Sequence, residues 1–465
     1  MSTPRLAAIT ALAFMLSSCG GGGSPMSSPP PQLPPPPPPA PIAIAVTGMA
    51  VVKVQASNAG IAAMEQRLTA ITELGPDRSL AIYDASGALA GRYAPPAGFA
   101  LVDFAQHPSG EISVALATAT AVKLVRLDRT GTVVDDLAVT DPQAPNDPFF
   151  DTGGVHDDNS LLPVLTRDAV RVAAIGEDLA VALRTGRNAT VAYRFDHARP
   201  GGFARVWRTL AEPGFSVFAT GITSGTFDTF DALVNHWQLR MDADAAGNIA
   251  VGVISREQAA PLFAAHAQYF GTTIAATNGF IVTRIAPDGT RLGATIVDTS
   301  RPSELHGMRV AGDDIGAVGR VFTVQRADGG GWDAYAAHVS LASGVLSAYR
   351  PLDVDRGEIL FDIAALAQGR FLVAGAAGYT QNPTGGSVSE QSSPLLAVLE
   401  SDGTLRSRVT VEAGARQNQV RSLALLGSRW IVGGMTNGPG THSGDGDRAL
   451  ITADGFARET AVSVP

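Results

Sequence analysis

A short apolar run, a turn ending in glycine and a second apolar run recur six times along the chain. The turns are Ser86-Gly87, Thr130-Gly131, Asp288-Gly289, Ser343-Gly344, Asp402-Gly403 and Asp454-Gly455, and a degenerate seventh copy ends at Pro200-Gly201. No unit of this size buries its own apolar face, so the repeat demands that neighbours shelter one another. Asp-Gly and Ser-Gly at such turns suit two-residue hairpin loops, which need positive φ.

Between these hairpins lies a second signature: a strand, a Gly-bearing turn and a strand rich in Val, Ala and Gly. The clearest copy runs from Leu239 through Asp242, Asp244, Gly247 and Asn248 to Gly252. Others run from Ile363 to Gly375 and from Leu423 to Gly434, with weaker ones from Phe104 to Leu116 and from Met308 to Gly319. Small side chains let backbones approach closely, as the innermost strands of a ring of sheets require. One small-residue hairpin plus one outer hairpin makes a four-stranded unit. The turn glycines lie 44 to 88 residues apart, so the wide gaps hold insertions, visible at 141–162 and 256–278. Within the latter, 258–269 has the pattern of a short helix.

The stretch from Asn278 through Phe280 to Asp288-Gly289 resembles the bacterial β-propeller repeat proteins. The stretches Gly331-Trp332-Asp333 to Val339 and Gly444 to Gly455 match them less fully. The resemblance is best over 236–465 and implies an all-β propeller of four-stranded blades, seven of them, with six or eight still open and an open β-solenoid as the other architecture. Closure removes exposed sheet edges, and residues 42–56 are placed to supply a strand to the C-terminal blade. The propeller is expected over 42–465.

The first 41 residues read as an address and a tether. Arg5, the apolar stretch from Leu6 to Leu16 and the small residues after it form an export signal over 1–19. Leu16-Ser17-Ser18-Cys19 resembles the bacterial lipobox, which implies a lipidated, palmitate-bearing Cys19 as mature N-terminus. Gly20 is similar to the residue of lipoproteins sorted to the outer membrane. Cys19 is the chain's one cysteine, so the fold has no disulfide and no thiolate metal site. Residues 20–41 are a Gly/Pro-rich tether, with prolines at 29–31 and 34–39 holding extended polyproline II.

Charged residues make up 17% of the 465 and the net charge is −9, with no dense basic patch, which argues against nucleic acid as a partner. The chain has no Gly-x-Ser-x-Gly elbow, closely spaced histidine pair or Walker loop. His107, His197, His338, His156 and His442 are scattered and read as surface or turn residues. Asp242, Asp244 and Asn248 partly resemble a calcium loop, but without its final Glu they also read as an Asx turn. Asp445 with Asp447, and Asp157 to Asn159, invite the same reading. No cofactor beyond calcium is expected. Trp430 and Trp237 are expected in the core, whereas Trp332 is the tryptophan best placed for exposure and ligand contact.

These readings converge on a lipid-anchored envelope protein that presents a rigid ring to a protein or glycan without catalysis, the insertions at 141–162 and 256–278 serving as recognition loops. One alternative is a hydrolase or lyase of extracellular polymer, with acidic residues such as Asp242 and Asp313 at the channel. Another is an accessory lipoprotein of envelope assembly.

Overall fold

A computed structural model describes residues 40–67, 78–118, 121–150, 170–185, 189–197, 202–215, 237–255, 259–272, 276, 278–323, 332–355, 357–378, 392–414, 417–438 and 453–462. The lipobox, the tether up to residue 39 and the acidic pairs at 157–159 and 445–447 lie outside them. Seven four-stranded antiparallel sheets follow one another along the chain and close into a ring. Blades 1 to 6 span residues 50–93, 100–139, 170–212, 237–298, 303–352 and 358–408. Blade 7 takes three strands from 417–460 and its fourth from the N-terminal strand Ala43–Val46.

That fourth strand is the closure expected from residues 42–56. Ala43 pairs with Arg458 and Val46 with Gly455, while Ile42, Ile44 and Val46 turn inward to the blade 7–blade 1 core. Asp454-Gly455 is therefore no hairpin turn. It opens the third strand of blade 7, Asp454–Thr460. A Cβ on Gly455 would lie 2.4 Å from the Met49 carbonyl, so glycine is needed where the chain passes into blade 1.

The outer turns form as the repeat predicts, with one difference. Gly87, Gly131, Gly289, Gly344 and Gly403 all have positive φ. The loops are longer than two residues, however. The Gly87 amide donates to the Asp84 carbonyl and the Asp84 amide to the Ala88 carbonyl, with a register shift at Ile82/Tyr83. This is a turn followed by a glycine bulge, in which only the glycine needs the left-handed region. Asp84 Oδ1 accepts the Ser86 and Ala88 amides, and Asp128 repeats the arrangement with Thr130 and Thr132.

The small-residue strands are not innermost. Each blade's first strand lines the axis: Ala50–Ser57, Ala100–Gln106, Val170–Ile175, Trp237–Ala243, Ser303–Ala311, Glu358–Ala365 and Gln417–Leu426. The small-residue strand is second and is covered on both faces. A Cβ on Gly252 would meet Leu305 at 2.8 Å, on Gly316 Ile363 at 2.8 Å, and on Gly433 Val54 at 2.6 Å. In each case the intruding side chain belongs to the first strand of the next blade. The glycines are sockets for the neighbour, so crowding between blades, not at the axis, selects them.

Antiparallel strands reverse the chain at every step, so connections alternate between the two ends of the ring. At one end they span two to seven residues. At the other they include 140–169, 213–236 and 256–278. Both expected recognition insertions thus leave from the same end. The expected helix, α1 (Ala259–Phe270), stands there and buries Phe263 and Ala265 against blade 4.

Candidate functional site

The axis holds a cavity of about 350 Å³ to which all seven first strands contribute. Five of these strands carry a β-bulge at the same stage, around Val52, Val102, His306, Phe361 and Arg421. A bulge turns two consecutive residues to one side, so a channel residue appears where strict alternation would hide it. All five bulged residues line the cavity.

Lys53, Asp103, Asp362 and Ser422, each beside a bulged residue, form a belt with Arg171, Asp242 and Arg309. Passing from blade 1 to blade 7 it reads Lys53, Asp103, Arg171, Asp242, Arg309, Asp362, Ser422, alternating in sign until the hydroxyl. Lys53 Nζ donates to Asp103 at 2.6 Å. Arg309 donates to both oxygens of Asp362, at 3.2 and 3.1 Å, and lies 4.0 Å from Asp242. Counted from the bulge, Arg309 stands two residues further along its strand than Asp362 does, so the belt follows contacts and not a strict register.

Each acid also latches the next blade. Asp103 accepts the Val172 amide at 3.0 Å, Asp242 the Val310 amide at 2.8 Å and Asp362 the Leu423 amide at 2.8 Å. Ser422 closes the circuit by accepting the Val54 amide at 3.0 Å. Burial pushes the Asp103 carboxyl up, but Lys53 and Arg171 outweigh it and hold it below its ordinary value. At Asp242 burial wins over Arg309 and the carboxyl is raised. The Asp362 charge holds the Arg309 guanidinium above its ordinary value.

Nearer the long-loop end lies a second layer. Arg320 donates to Glu304 at 2.6 and 2.8 Å, and His306 Nε2 lies 3.0 Å from the same carboxylate. Arg240 donates to the His306 carbonyl, and Arg421 lies over the Phe361 ring at 5.0 Å. Burial takes His306 down to about 4, against the pull of Glu304, so its ring is neutral at neutral pH. Together with Arg78, the cavity wall holds seven Lys and Arg side chains against four carboxylates, in a chain of net charge −9.

The calcium candidates serve different ends. Asp242 belongs to the belt, whereas Asp244 accepts the amide and side chain of Asn248 at 2.8 and 2.7 Å in the turn beyond it. Asp313 does not line the cavity. It accepts the Ala342 amide and the Ser340 hydroxyl in the turns at the short-loop end, so it does not pair with Asp242 as acid and base. Trp332 is buried, at 4% exposure, under the Arg320 guanidinium and edge-on to Phe322. It opens the strand Trp332–Ser340 and does not lie on a surface. Trp430 is half-buried against the blade 6–blade 7 core, as expected of a packing residue, and the Trp237 side chain lies outside the description. His107 and His338 are core residues, not surface ones. His107 is bonded to Gly176 O and Ser113 Oγ, and His338 to Ser401 O.

Strand order and closure define a seven-bladed β-propeller whose site is a charged axial channel. No family model matches the chain, and no curated protein sequence matches it. Among solved structures it is similar to the Dos1 propeller, with TM-score 0.48 and 8% identity over 90% of this chain and 94% of that one. The RRP9 WD40 repeats give 0.46 and 9% over 90% and 99%. A catalytically inactive virginiamycin B lyase from Staphylococcus aureus with quinupristin gives 0.44 and 9% over 91% and 100%.

Proposed function

We propose that the chain is an exported lipoprotein, held on the outer membrane through Cys19, whose propeller receives an acidic partner at the long-loop end without catalysing a reaction. The partner is an envelope protein or a glycan that offers clustered carboxylates. The observation that carries this reading is the surplus of cations around the axial cavity of an otherwise acidic protein. A low-dielectric wall focuses such a field on an entering anion. The channel acids support a non-enzymatic role, because Asp103, Asp242 and Asp362 each hold a main-chain amide of the next blade. An accepted amide favours the charged form of a carboxylate and ties it to the structure of the next blade.

The test uses the chain expressed from Gly20 and titrated calorimetrically with poly-glutamate and, separately, polygalacturonate. Binding of one polymer is expected, weaker at about 300 mM than at about 50 mM salt and weaker still in Arg421→Gln. The polymer that binds separates a protein partner from a glycan. No heat with either overturns the receptor reading. For the anchor, full-length protein is expected in the detergent phase of a Triton X-114 partition and Cys19→Ala in the aqueous phase.

A further inference from the structure

Three carboxylates outside the channel meet between blades 5 and 6. Asp333 is the second residue of the strand Trp332–Ser340, Asp353 lies in the connection to blade 6, and Glu358 opens the strand Glu358–Ala365. Each places an oxygen within 4.8 Å of the other two. That is the widest gap between two oxygens bound at about 2.4 Å to one ion, a separation suited to calcium and wide for magnesium at about 2.1 Å.

The arrangement is costly without a cation. Glu358 is 1% exposed and Asp333 7%. Glu358 Oε1 accepts the Val354 and Asp355 amides, but its other oxygen, Oε2, is buried with no hydrogen-bond partner among the described residues. Asp333 repeats the pattern, Oδ2 accepting from Thr323 Oγ1 at 2.7 Å while Oδ1 is buried with no hydrogen-bond partner among the described residues. Orphaned carboxylate oxygens at such depth are rare because the desolvation is uncompensated. Here two carboxylates that each carry such an oxygen come together with a third.

We propose that Asp333, Asp353 and Glu358 bind a calcium ion that clamps blade 5 to blade 6 at the long-loop end. Two carboxylates come from strand starts and one from the connection between them, so the ion ties that connection to the sheets it joins. Main-chain carbonyls and water fill the remaining positions, as hard oxygen donors do around calcium.

Terbium, which takes calcium sites and is excited through nearby indole, is the probe, because Trp332 adjoins Asp333 in sequence. Added to the full chain, it is expected to emit on excitation at about 280 nm, an emission displaced by calcium. Millimolar calcium is expected to raise the unfolding midpoint by at least about 2 °C. Glu358→Gln and Asp353→Asn should lose both responses and Asp244→Asn should keep them. Asp353 is an exposed connection residue, so its variant tests the site even if Glu358→Gln does not fold. Absence of both responses in the wild-type chain overturns the proposal, as does their persistence in Asp353→Asn or their loss in Asp244→Asn.

Discussion

Glu212 ends the outer strand of blade 3, beneath α1. It accepts the Thr283 hydroxyl, its Oε2 lies 3.6 Å from His266 Nε2, and Arg291 donates to that same His266 nitrogen at 2.9 Å. Burial, only partly opposed by Thr283 and Arg291, lifts the Glu212 carboxyl to about 8. Burial also takes His266 down to about 4. Both groups are thus held neutral. Between pH 4.5 and 8 the folded chain keeps a Glu212 proton that the unfolded chain has released, so this contribution to stability is complete below pH 4.5 and lost as pH rises through 8. His266 acts oppositely, losing stability as pH falls from 6.5 through 4. Glu212→Gln is therefore expected to raise the midpoint at pH 8 by about 2–4 °C and to leave it unchanged at pH 4.5. Scanning calorimetry at the two pH values checks this, and an equal gain at both would contradict it.

Single residues are also where the sequence was least legible. Asp353 and Glu358 stand five residues apart, but Asp333 comes from an earlier strand, and no local pattern joins all three. The belt did leave a signal in three first strands, a charged side chain set among apolar neighbours: Val51-Val52-Lys53-Val54, Leu101-Val102-Asp103-Phe104 and Leu360-Phe361-Asp362-Ile363. Bulges hid it by moving the polar residue out of alternation with its neighbours. The surface reading of Trp332 failed because flanking glycines report on backbone, not on where a ring packs.

At the scale of elements, turns were readable because their chemistry is local. Asp84, Asp128, Asp244 and Asp402 each bind amides within four residues, and the glycine that follows needs its φ whatever surrounds it. The order of strands within a blade was not readable. Small residues signal a close neighbour without saying which, and Gly252, Gly316 and Gly433 turn out to face the adjoining blade. The strand Ala43–Val46 gives the prediction at this scale. A chain beginning at Gly48 leaves Asp454–Thr460 as an open edge and uncovers the sites of Ile42, Ile44 and Val46. At about 1.5–3 kcal/mol for each buried side chain, the loss is about 5 kcal/mol or more. The truncated protein is expected to melt earlier and to self-associate, and a peptide of residues 41–47 added in trans should restore much of the midpoint. Unchanged melting would mean that the strand is not part of the closure.

The whole molecule is a circuit of weak sheets, each braced by the next through an apolar seam and a latch at the axis. Ser422 is the telling position in that circuit. Ser422→Asp puts a second anion beside Asp362, whose oxygen is 3.3 Å away. It also replaces the hydroxyl that accepts the Val54 amide. Denaturant unfolding is expected to show a loss of about 1–3 kcal/mol, with a smaller loss for Ser422→Thr, which keeps the hydroxyl. Equal losses would assign the effect to volume and not to charge.

An odd cycle cannot be coloured with two colours so that no neighbours match. Seven stations in strict alternation therefore force one blank, and Ser422 supplies it next to Lys53, at the junction where the strand Ala43–Val46 completes blade 7. Six or eight stations would need no blank. The uncharged position thus records parity: a single side chain shows that the ring is odd and marks where the round begins.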